Sequence, residues 1–370
     1  MCSGKRQMGN SEMNLIERIQ RHIRLSVQAG SDGRMKTPPF LILFINSVCN
    51  LKCGHCFYWR SLNKEDDLTF DEIIAFAKDY GSFENLNLSG GEPFIRKELG
   101  GICRFFIHNN QVKQIYIPTN AYFPDKMQRH IEEILKEPAL QLLVIEISLD
   151  GMAEYHNNLR GDSKSFQKAM ESYTMLEGIQ KKDKRLRIHS ISTVTSDNIA
   201  EIRRLTDFLY NQCPSMDHHN IAMVRGDRKN QTLETPQLEA YRDLWKHVDV
   251  LWKDREKGRF GAIVEPMLQW AKGKITLQQQ QVIPCLAGIL SAVVYANGDV
   301  SFCEFSKPSG NLRKRGFFEI WHSPEAEQLR RDIKKKRCYC TNEIFLWPSI
   351  VFQPFQLMRA MIGGNIWKKY

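Results

Sequence analysis

The sequence predicts an α/β protein: an incomplete (β/α)6 barrel followed by a small cysteine-rich domain. Between residues 40 and 224, short apolar runs alternate with longer helical patterns. That order is typical of a parallel sheet with crossover helices. Six such units are fewer than a closed eight-stranded barrel needs. The segment after residue 283 is different in character, because it is short, turn-rich and carries cysteines.

Local patterns define the elements of the barrel. The predicted strands are Phe40–Ile45, Leu86–Leu88, Gln114–Ile117, Leu140–Leu149, Leu186–Val194 and His219–Val224. The predicted helices between them are Thr69–Tyr80, Glu98–Asn109, Pro124–Glu137, Ser163–Lys181 and Asn198–Asn211. We expect Thr69, with Glu72 three residues on, to cap the first of these helices, and Asp197 to cap the last.

The same patterns divide the chain into five segments. These are an N-terminal helical extension (1–37), the barrel (38–235), a helical connector (236–283), the cysteine-rich domain (284–342) and an aromatic and basic tail (343–370). Residues 11–29 and Pro236–Glu256 have apolar side chains at helical spacing, which predicts amphipathic helices.

The most informative motif is a loop with three cysteines directly after the first predicted strand. Its members, spaced Cys-x3-Cys-x2-Cys, are Cys49, Cys53 and Cys56. Three thiolates can hold three irons of a 4Fe–4S cube and leave the fourth iron without a protein ligand. We expect the aromatic residues 57–59 to shield the cluster, and His55 to be a solvated loop residue. A zinc knuckle is the alternative, but no nearby Cys/His pair has the spacing that would complete it.

This loop resembles the signature of the radical S-adenosylmethionine (radical SAM) superfamily at every position that defines it. The resemblance implies that the open iron binds the amino and carboxylate groups of S-adenosylmethionine. An electron from the cluster then cleaves the sulfonium to methionine and a 5′-deoxyadenosyl radical, which abstracts hydrogen from a substrate. In such enzymes the cofactors supply the chemistry, while the protein positions and shields them.

The second strand is followed by a motif that is similar to the Gly-Gly-Glu motif of this superfamily. It consists of Gly90, Gly91 and Glu92. Glycines at a strand end allow the backbone to approach a ligand closely. The resemblance implies that these three residues contact the amino group of the methionyl portion.

Further cofactor contacts are expected at the ends of later strands. The resemblance implies that Ser148 reaches the ribose and that Arg160 pairs with the methionine carboxylate, for which a planar guanidinium is suited. A strand-end turn for Ser148 and a surface salt bridge for Arg160 are the alternatives. Thr193 and Met223 are expected to touch the ribose and adenine.

Four cysteines of the tail predict a second cluster. They are Cys285, Cys303, Cys338 and Cys340. The runs 293–295 and 300–302 predict a β-hairpin around Asn297-Gly298-Asp299, which brings the first two thiols together. Fully thiolate-ligated iron–sulfur and tetrahedral zinc sites both fit four cysteines.

This tail resembles the SPASM/twitch auxiliary domains of radical SAM enzymes. The pattern Cys285, Gly298, four residues, Cys303 matches the opening of that motif, and Gly310–Leu312 and Ile320–Trp321 match its continuation. A complete SPASM domain has seven cysteines, whereas this tail has four, so we expect one auxiliary cluster. By resemblance to peptide-modifying members, Glu304 is a candidate general base; the alternative is an acidic turn residue.

Composition and charge indicate the cellular compartment of the protein and the kind of partner it binds. The chain has 370 residues, ten cysteines and no N-terminal secretory signal, which favours a reducing, cytoplasmic setting with cysteines as metal ligands. The net charge of +10 is spread thinly, which argues against a nucleic-acid substrate. The apolar N-terminal helix and the tail Phe345–Tyr370 are expected to cover the barrel and auxiliary domain; peripheral contact with a membrane is the alternative.

These inferences together predict a radical SAM enzyme that abstracts hydrogen from a peptide or small metabolite in a maturation or biosynthetic pathway. A reducing donor such as flavodoxin or ferredoxin would supply the electron. Only about forty residues precede the first strand, which weakens the peptide interpretation because many peptide maturases carry a leader-binding domain there. The alternatives are a non-catalytic iron–sulfur or zinc protein and a nucleic-acid-modifying radical SAM enzyme.

Overall fold

The computed structural model describes residues 15–31 and 37–363. Within them, strands β1 to β9 form one sheet in the order β6-β5-β4-β3-β2-β1-β7-β8-β9. In chain order the strands are Phe40–Asn46, Asn85–Gly90, Gln114–Thr119, Leu142–Ser148, Leu186–Val194, His218–Met223, Ser291–Val294, Asp299–Ser301 and Gly310–Asn311. Strands β1 to β6 are parallel to their neighbours, which confirms the predicted (β/α)6 arrangement.

Helices α1 to α13 cover the sheet and its ends. In chain order they are Leu15–Gly30, Phe70–Tyr80, Leu99–Asn110, Pro124–Leu135, Ala153–Arg160, Ser165–Lys182, Ile199–Gln212, Leu238–Glu256, Gly261–Gln278, Phe317–Trp321, Pro324–Lys334, Glu343–Val351 and Pro354–Ile362. Helix α9 lies within the predicted helical connector. Helices α5, α10, α12 and α13 were not predicted, because each is short and leaves little room for a helical pattern in the sequence.

The two predicted helix caps have different outcomes. Thr69 forms a capping box with Glu72, as predicted. The prediction for Asp197 is wrong, because Asn198 occupies the cap position of α7. The Asn198 side chain accepts a hydrogen bond from the Thr195 N–H (2.8 Å) and donates to the Thr193 carbonyl (2.9 Å). It therefore ties the end of β5 to the start of α7.

The predicted hairpin of the tail exists, but it does not stand apart from the barrel. Strand β7 lies parallel to β1, with Phe40 opposite Ser291 and Leu43 opposite Val294, and β8 runs antiparallel to β7. All four residues of β7 are buried. The cysteine-rich segment thus extends the barrel sheet past its first strand.

Two apolar cores support this arrangement. The larger one lies between the sheet and its helices and includes every apolar residue from Leu41 to Ile45 of β1. The smaller one joins α1, α9, α12 and α13 through residues such as Leu25, Met267, Ile350 and Ala360. The N- and C-terminal helices therefore pack into one helical layer, as expected for elements that cover the domains.

Candidate functional site

One cleft at the C-terminal ends of the parallel strands collects all the predicted cofactor-binding residues. Its lining includes Cys49, Cys53, Cys56, Gly90, Gly91, Glu92, Ser148, Arg160, Thr193, Met223 and Glu304. This is the edge of a β/α barrel at which catalytic groups gather. The cleft brings together residues that are up to 295 positions apart in the chain, from Cys49 to Ile344.

The three cysteines of the loop are free thiols and half-buried. Burial raises the pKa of Cys49 to about 12 and that of Cys56 to about 11, so the thiols become ligands by exchanging protons for metal. Among the described residues, no three His, Cys, Asp or Glu side chains converge on one ion position. In a 4Fe–4S cube each thiolate binds a different iron, so the three sulfur atoms need not meet at one ion.

Aromatic side chains next to the loop pack as the sequence predicted. The Phe57 ring contacts Phe44 edge-on with centroids 6.4 Å apart, and Tyr58 is buried against Phe44 at 4.7 Å and Tyr295 at 6.2 Å. Phe305 lies 6.3 Å from Phe57 on its other side. Because Tyr295 and Phe305 belong to the tail, the auxiliary segment completes the apolar wall beside the first cysteine loop.

The end of β2 lies so close to the cysteine loop that only glycine fits. A Cβ atom at Gly90 would meet the Asn46 carbonyl oxygen at 2.1 Å, and one at Gly91 would meet that of Val48 at 2.1 Å. The Gly91 N–H donates to the Asn46 oxygen (2.9 Å), and the Glu92 N–H donates to the Val48 oxygen (2.7 Å). The two glycines therefore hold the end of β2 directly against the start of the loop.

The Glu92 carboxylate is buried and accepts hydrogen bonds from the Thr119 hydroxyl (2.7 Å), the Asn120 N–H (2.7 Å) and the Phe94 N–H (3.2 Å). Burial raises the pKa of Glu92 to about 6, against the effect of these donors. The Asn120 side chain in turn lies 4.0 Å from the Cys49 sulfur. Glu92 thus links the second and third strand ends beneath the loop, while its contact with S-adenosylmethionine stays a prediction.

Arg160 is held by an internal partner that sequence reasoning missed. Its Nε and Nη2 atoms donate to the Asp150 Oδ2 atom at 2.8 and 2.5 Å, and both residues are buried. Burial acts to raise the pKa of Asp150, but Arg160 and His55 lower it to about 2. Arg160 also lowers the pKa of Cys53, which burial raises. The guanidinium therefore lies between a buried carboxylate and the cysteine loop, not on the surface.

His55 is not the solvated residue that the sequence predicted. Its side chain is 13% exposed, and its Nε2 atom lies 3.9 Å from the Asp150 carboxylate. Burial lowers the pKa of His55 to about 4, so the ring is neutral at physiological pH. The expectation failed because the loop folds back over the end of β4, where Asp150 lies, and this contact has no signal in the local sequence.

The ends of β4, β5 and β6 place the remaining predicted residues along one wall. Ser148 is the last residue of β4, Thr193 the next-to-last of β5 and Met223 the last of β6. The Thr193 N–H donates a hydrogen bond to the Asp150 carboxylate (2.8 Å). The Met223 sulfur accepts a hydrogen bond from the Thr276 hydroxyl (3.6 Å). All three residues line the cleft at consecutive strand ends. Their contacts with the nucleoside stay predictions.

The four tail cysteines also come together as free thiols. Burial raises the pKa of the Cys285 thiol, and the nearby Cys340, Cys303 and Cys338 raise it further. Burial likewise raises the pKa of Cys340 to about 12. The mutual influence of all four thiols, including Cys338 and Cys340, fits a shared cluster.

Glu304 points into the cleft from the auxiliary segment. Its carboxylate accepts a hydrogen bond from the Asn342 side chain (2.6 Å) and lies 3.9 Å from the Arg225 guanidinium, which is also 3.5 Å from Glu343. Glu343 is paired with the buried Lys272 at 2.6 Å. Glu304 is therefore no exposed turn residue but one end of a buried charged network.

Glu146 is a second carboxyl group in the cleft, and the sequence analysis did not single it out. It lies in the middle of β4 and lines the cleft. Burial raises the pKa of Glu146 to about 7. Among the described residues it has no hydrogen-bond or ion-pair partner. A charged residue within an otherwise apolar strand was the available signal, because such a residue must face a polar cavity or a partner.

Comparison with known proteins agrees with this geometry. The profile of the Radical SAM superfamily matches residues 43–209, and that of the SPASM iron–sulfur cluster-binding domain matches residues 285–342. The AdoMet-dependent heme synthase of Methanosarcina barkeri is 25% identical over 325 residues, covering 83% of this chain and 88% of that protein. The Fe-coproporphyrin III synthase of the same organism is 25% identical over 89% of this chain and 86% of its own length.

Solved structures share the fold. Streptococcus suis SuiB bound to S-adenosylmethionine superimposes with a TM-score of 0.58 at 19% identity, covering 87% of this chain and 75% of that one. The enzyme anSMEcpe with bound AdoMet and the Cp18Cys peptide gives a TM-score of 0.56 at 17% identity, over 89% and 100% of the two chains.

These findings define the class of protein as a two-part iron–sulfur protein with a partial barrel and an auxiliary cysteine domain. The chain contains a Radical SAM domain at residues 43–209 and a SPASM iron–sulfur cluster-binding domain at residues 285–342. Its cofactors are a 4Fe–4S cluster with S-adenosylmethionine in the barrel and an auxiliary iron–sulfur cluster in the SPASM domain.

Proposed function

We propose that this protein reductively cleaves S-adenosylmethionine and removes a hydrogen atom from a peptide or small metabolite in a maturation or biosynthetic pathway. Bound cluster and nucleotide supply the electron and the 5′-deoxyadenosyl group for this reaction. The observation that carries the proposal is the single cleft in which the three-cysteine loop, the Gly90–Glu92 motif and Glu304 meet. An electron carrier or scaffold protein has no need of such a cleft.

We assign the cysteines Cys49, Cys53 and Cys56 to the cluster of the barrel, and the polar residues at the strand ends to the nucleotide. In this proposal, Gly90, Gly91 and Glu92 bind the methionyl amino group. Asp150 orients Arg160, and the remaining N–H groups of the Arg160 guanidinium bind the carboxylate of the methionyl portion. Ser148, Thr193 and Met223 bind the nucleoside, and Phe57 excludes water.

Glu304 is our candidate for the group that accepts a proton from the substrate. Its location supports this role, because it lines the cleft together with the cysteine loop and is oriented by Asn342. Arg225 lines the same cleft, as does Glu146, whose side chain has no hydrogen-bond or ion-pair partner within the described part of the chain. A cleft lined by both acidic and basic side chains favours a substrate with polar groups over a purely hydrocarbon one.

The substrate class has support from two sides. The named activities of the two Methanosarcina relatives concern heme and Fe-coproporphyrin III, which are metabolites. The structural neighbours SuiB and anSMEcpe are described with bound peptides. A cytoplasmic setting and an electron donor of the flavodoxin or ferredoxin type belong to the same proposal.

The test uses oxygen-free protein with both clusters, dithionite and S-adenosylmethionine. We expect 5′-deoxyadenosine and methionine to form. A protease-treated and an untreated low-mass cell extract should differ in how far they stimulate this formation if the substrate is a peptide, and should act alike if it is a metabolite. Absence of 5′-deoxyadenosine from fully loaded protein would contradict the proposal.

The role of Glu304 is tested with Glu304→Gln. We expect 5′-deoxyadenosine formation within about threefold of wild type, whereas the stable product falls by about 100-fold or more, the range that a general base contributes. The matched control is Glu137→Gln, an enclosed carboxylate outside the cleft that is paired with Arg104 and His108. Equal product formation by Glu304→Gln and wild type would remove the assignment.

A further inference from the structure

The exposed apolar side chains of this protein are concentrated on its terminal helices. On α1, four of them recur at intervals of three and four residues, which puts them on one side of the helix. They are Ile16, Ile19, Ile23 and Val27. On α13, a similar set consists of Phe355, Met358, Met361 and Ile362. Each of these eight side chains is between 50% and 74% exposed, and we call them the terminal apolar face.

The opposite sides of the two helices pack into the small core. The terminal apolar face is therefore a separate, exposed surface of these helices. Leu25 of α1 and Ala360 of α13 are buried in the same small core. The His22 ring lies 5.5 Å from Phe352, which lies between α12 and α13. A typical monomer does not expose many large apolar residues together without a partner for them.

The charge around this face indicates what the partner is. Helix α1 carries Arg18, Arg21 and Arg24 against the single acidic residue Glu17, and Arg21 and Arg24 also pair with Glu84. Helix α13 contains Arg359 and no Asp or Glu. An apolar stripe flanked by cations is the pattern of helices that lie in the headgroup region of anionic lipid bilayers.

We propose that the terminal apolar face binds the surface of an anionic membrane, with α1 and α13 lying in the interface. Among the described helices, none is long and apolar enough to cross a bilayer, so the contact is peripheral. Pairing with a second copy of the chain is less well matched, because it would bring two cationic surfaces together. The active-site cleft is built from other residues, so this binding is independent of the proposed reaction.

The test measures co-sedimentation of the full-length, cluster-loaded protein with vesicles of phosphatidylcholine and about 30% phosphatidylglycerol at low salt. We expect wild type to bind, and binding to weaken at about 0.5 M salt, where charges are screened within a few ångströms. The double variant Ile19→Glu/Ile23→Glu should partition at least about tenfold less, because each change removes buried apolar area and adds repulsion from the lipid.

The matched control is Val250→Glu, since Val250 is equally exposed on α8, outside the terminal apolar face. It should bind vesicles like wild type, and both variants should keep 5′-deoxyadenosine formation, which shows that they fold. Three results would overturn the proposal: no vesicle binding by wild type at low salt, equal loss in the Val250 variant, or a concentration-dependent dimer that Ile19→Glu/Ile23→Glu abolishes in protein that does not bind vesicles.

Discussion

The two cysteine groups of this protein differ in what surrounds them. The three thiols of the first loop form part of the wall of the cleft, beside the buried Arg160 and a set of polar strand ends. The four thiols of the tail do not line that cleft and face mainly one another. Cys285 and Cys303 receive backbone N–H donors from their own turns.

This difference explains how one chain can hold two clusters with different tasks. A group with three thiols and an adjacent cleft leaves one metal corner facing a pocket, where a ligand can bind. A group with four thiols satisfies every corner, which suits electron transfer or structural support. The two groups nevertheless belong to one sheet, because β7 pairs with β1 and so joins the auxiliary segment to the barrel.

Removal of a thiol from the first loop should have the largest effect. For Cys53→Ala we expect 5′-deoxyadenosine formation to fall by about 1,000-fold or to background, because two thiolates cannot hold the cube against solvent. The matched control is Cys103→Ala, which removes a fully buried thiol in α3 that faces neither group. It should cost about 1 kcal/mol of stability and leave the activity unchanged.

Removal of a thiol from the tail should have a smaller and different effect. In Cys340→Ala, iron per chain should fall from about eight to about four atoms, as expected for loss of one of two cubes. Formation of 5′-deoxyadenosine should stay within about tenfold of wild type, because the first loop and the cleft are intact. Loss of both clusters together would show that the two groups are not independent, and an unchanged iron content would show that Cys340 is not a ligand.

The smallest expected effect concerns Glu146, which lines the cleft. Burial is the main cause that raises the pKa of Glu146 to about 7; Glu343 acts in the same direction, while His218 and Arg225 oppose it. The folded state therefore binds a proton more tightly than the unfolded state, and stability falls as pH rises from about 4.5 to 7. Glu146→Gln should gain about 2 kcal/mol over wild type when the pH is raised from about 5.5 to 8.

Urea unfolding of cluster-loaded protein under oxygen-free conditions measures this change. The comparison between wild type and Glu146→Gln cancels groups that titrate alike in both proteins; His218 is not one of them, because it interacts with Glu146. A difference that does not vary with pH would mean that the carboxyl group is hydrated and titrates normally. The result also bears on the substrate, because a carboxyl group with a pKa near 7 can present either a donor or an acceptor to it.

Much of the barrel could be predicted from local pattern. The strand Leu186–Val194 and the cap at Thr69 follow from apolar runs and short-range hydrogen bonds, which depend on neighbouring residues alone. The errors lie where distant segments meet. The cap of α7 was placed one residue early, because Asn198 is selected by its bond to the end of β5. His55 was expected in solvent, because its neighbour Asp150 is 95 residues away in the chain.

The sequence by itself determined the class of chemistry, because the spacing of Cys49, Cys53 and Cys56 restricts which metal centre a short loop can hold. The tertiary structure decided how the site is assembled. Only the fold pairs Arg160 with Asp150 and brings Glu304 and Glu146 into the same cleft as the cysteine loop. The physical reason is range: ligand spacing is a local property of the chain, whereas burial and charge pairing depend on contacts that form only when the sheet closes around the cleft.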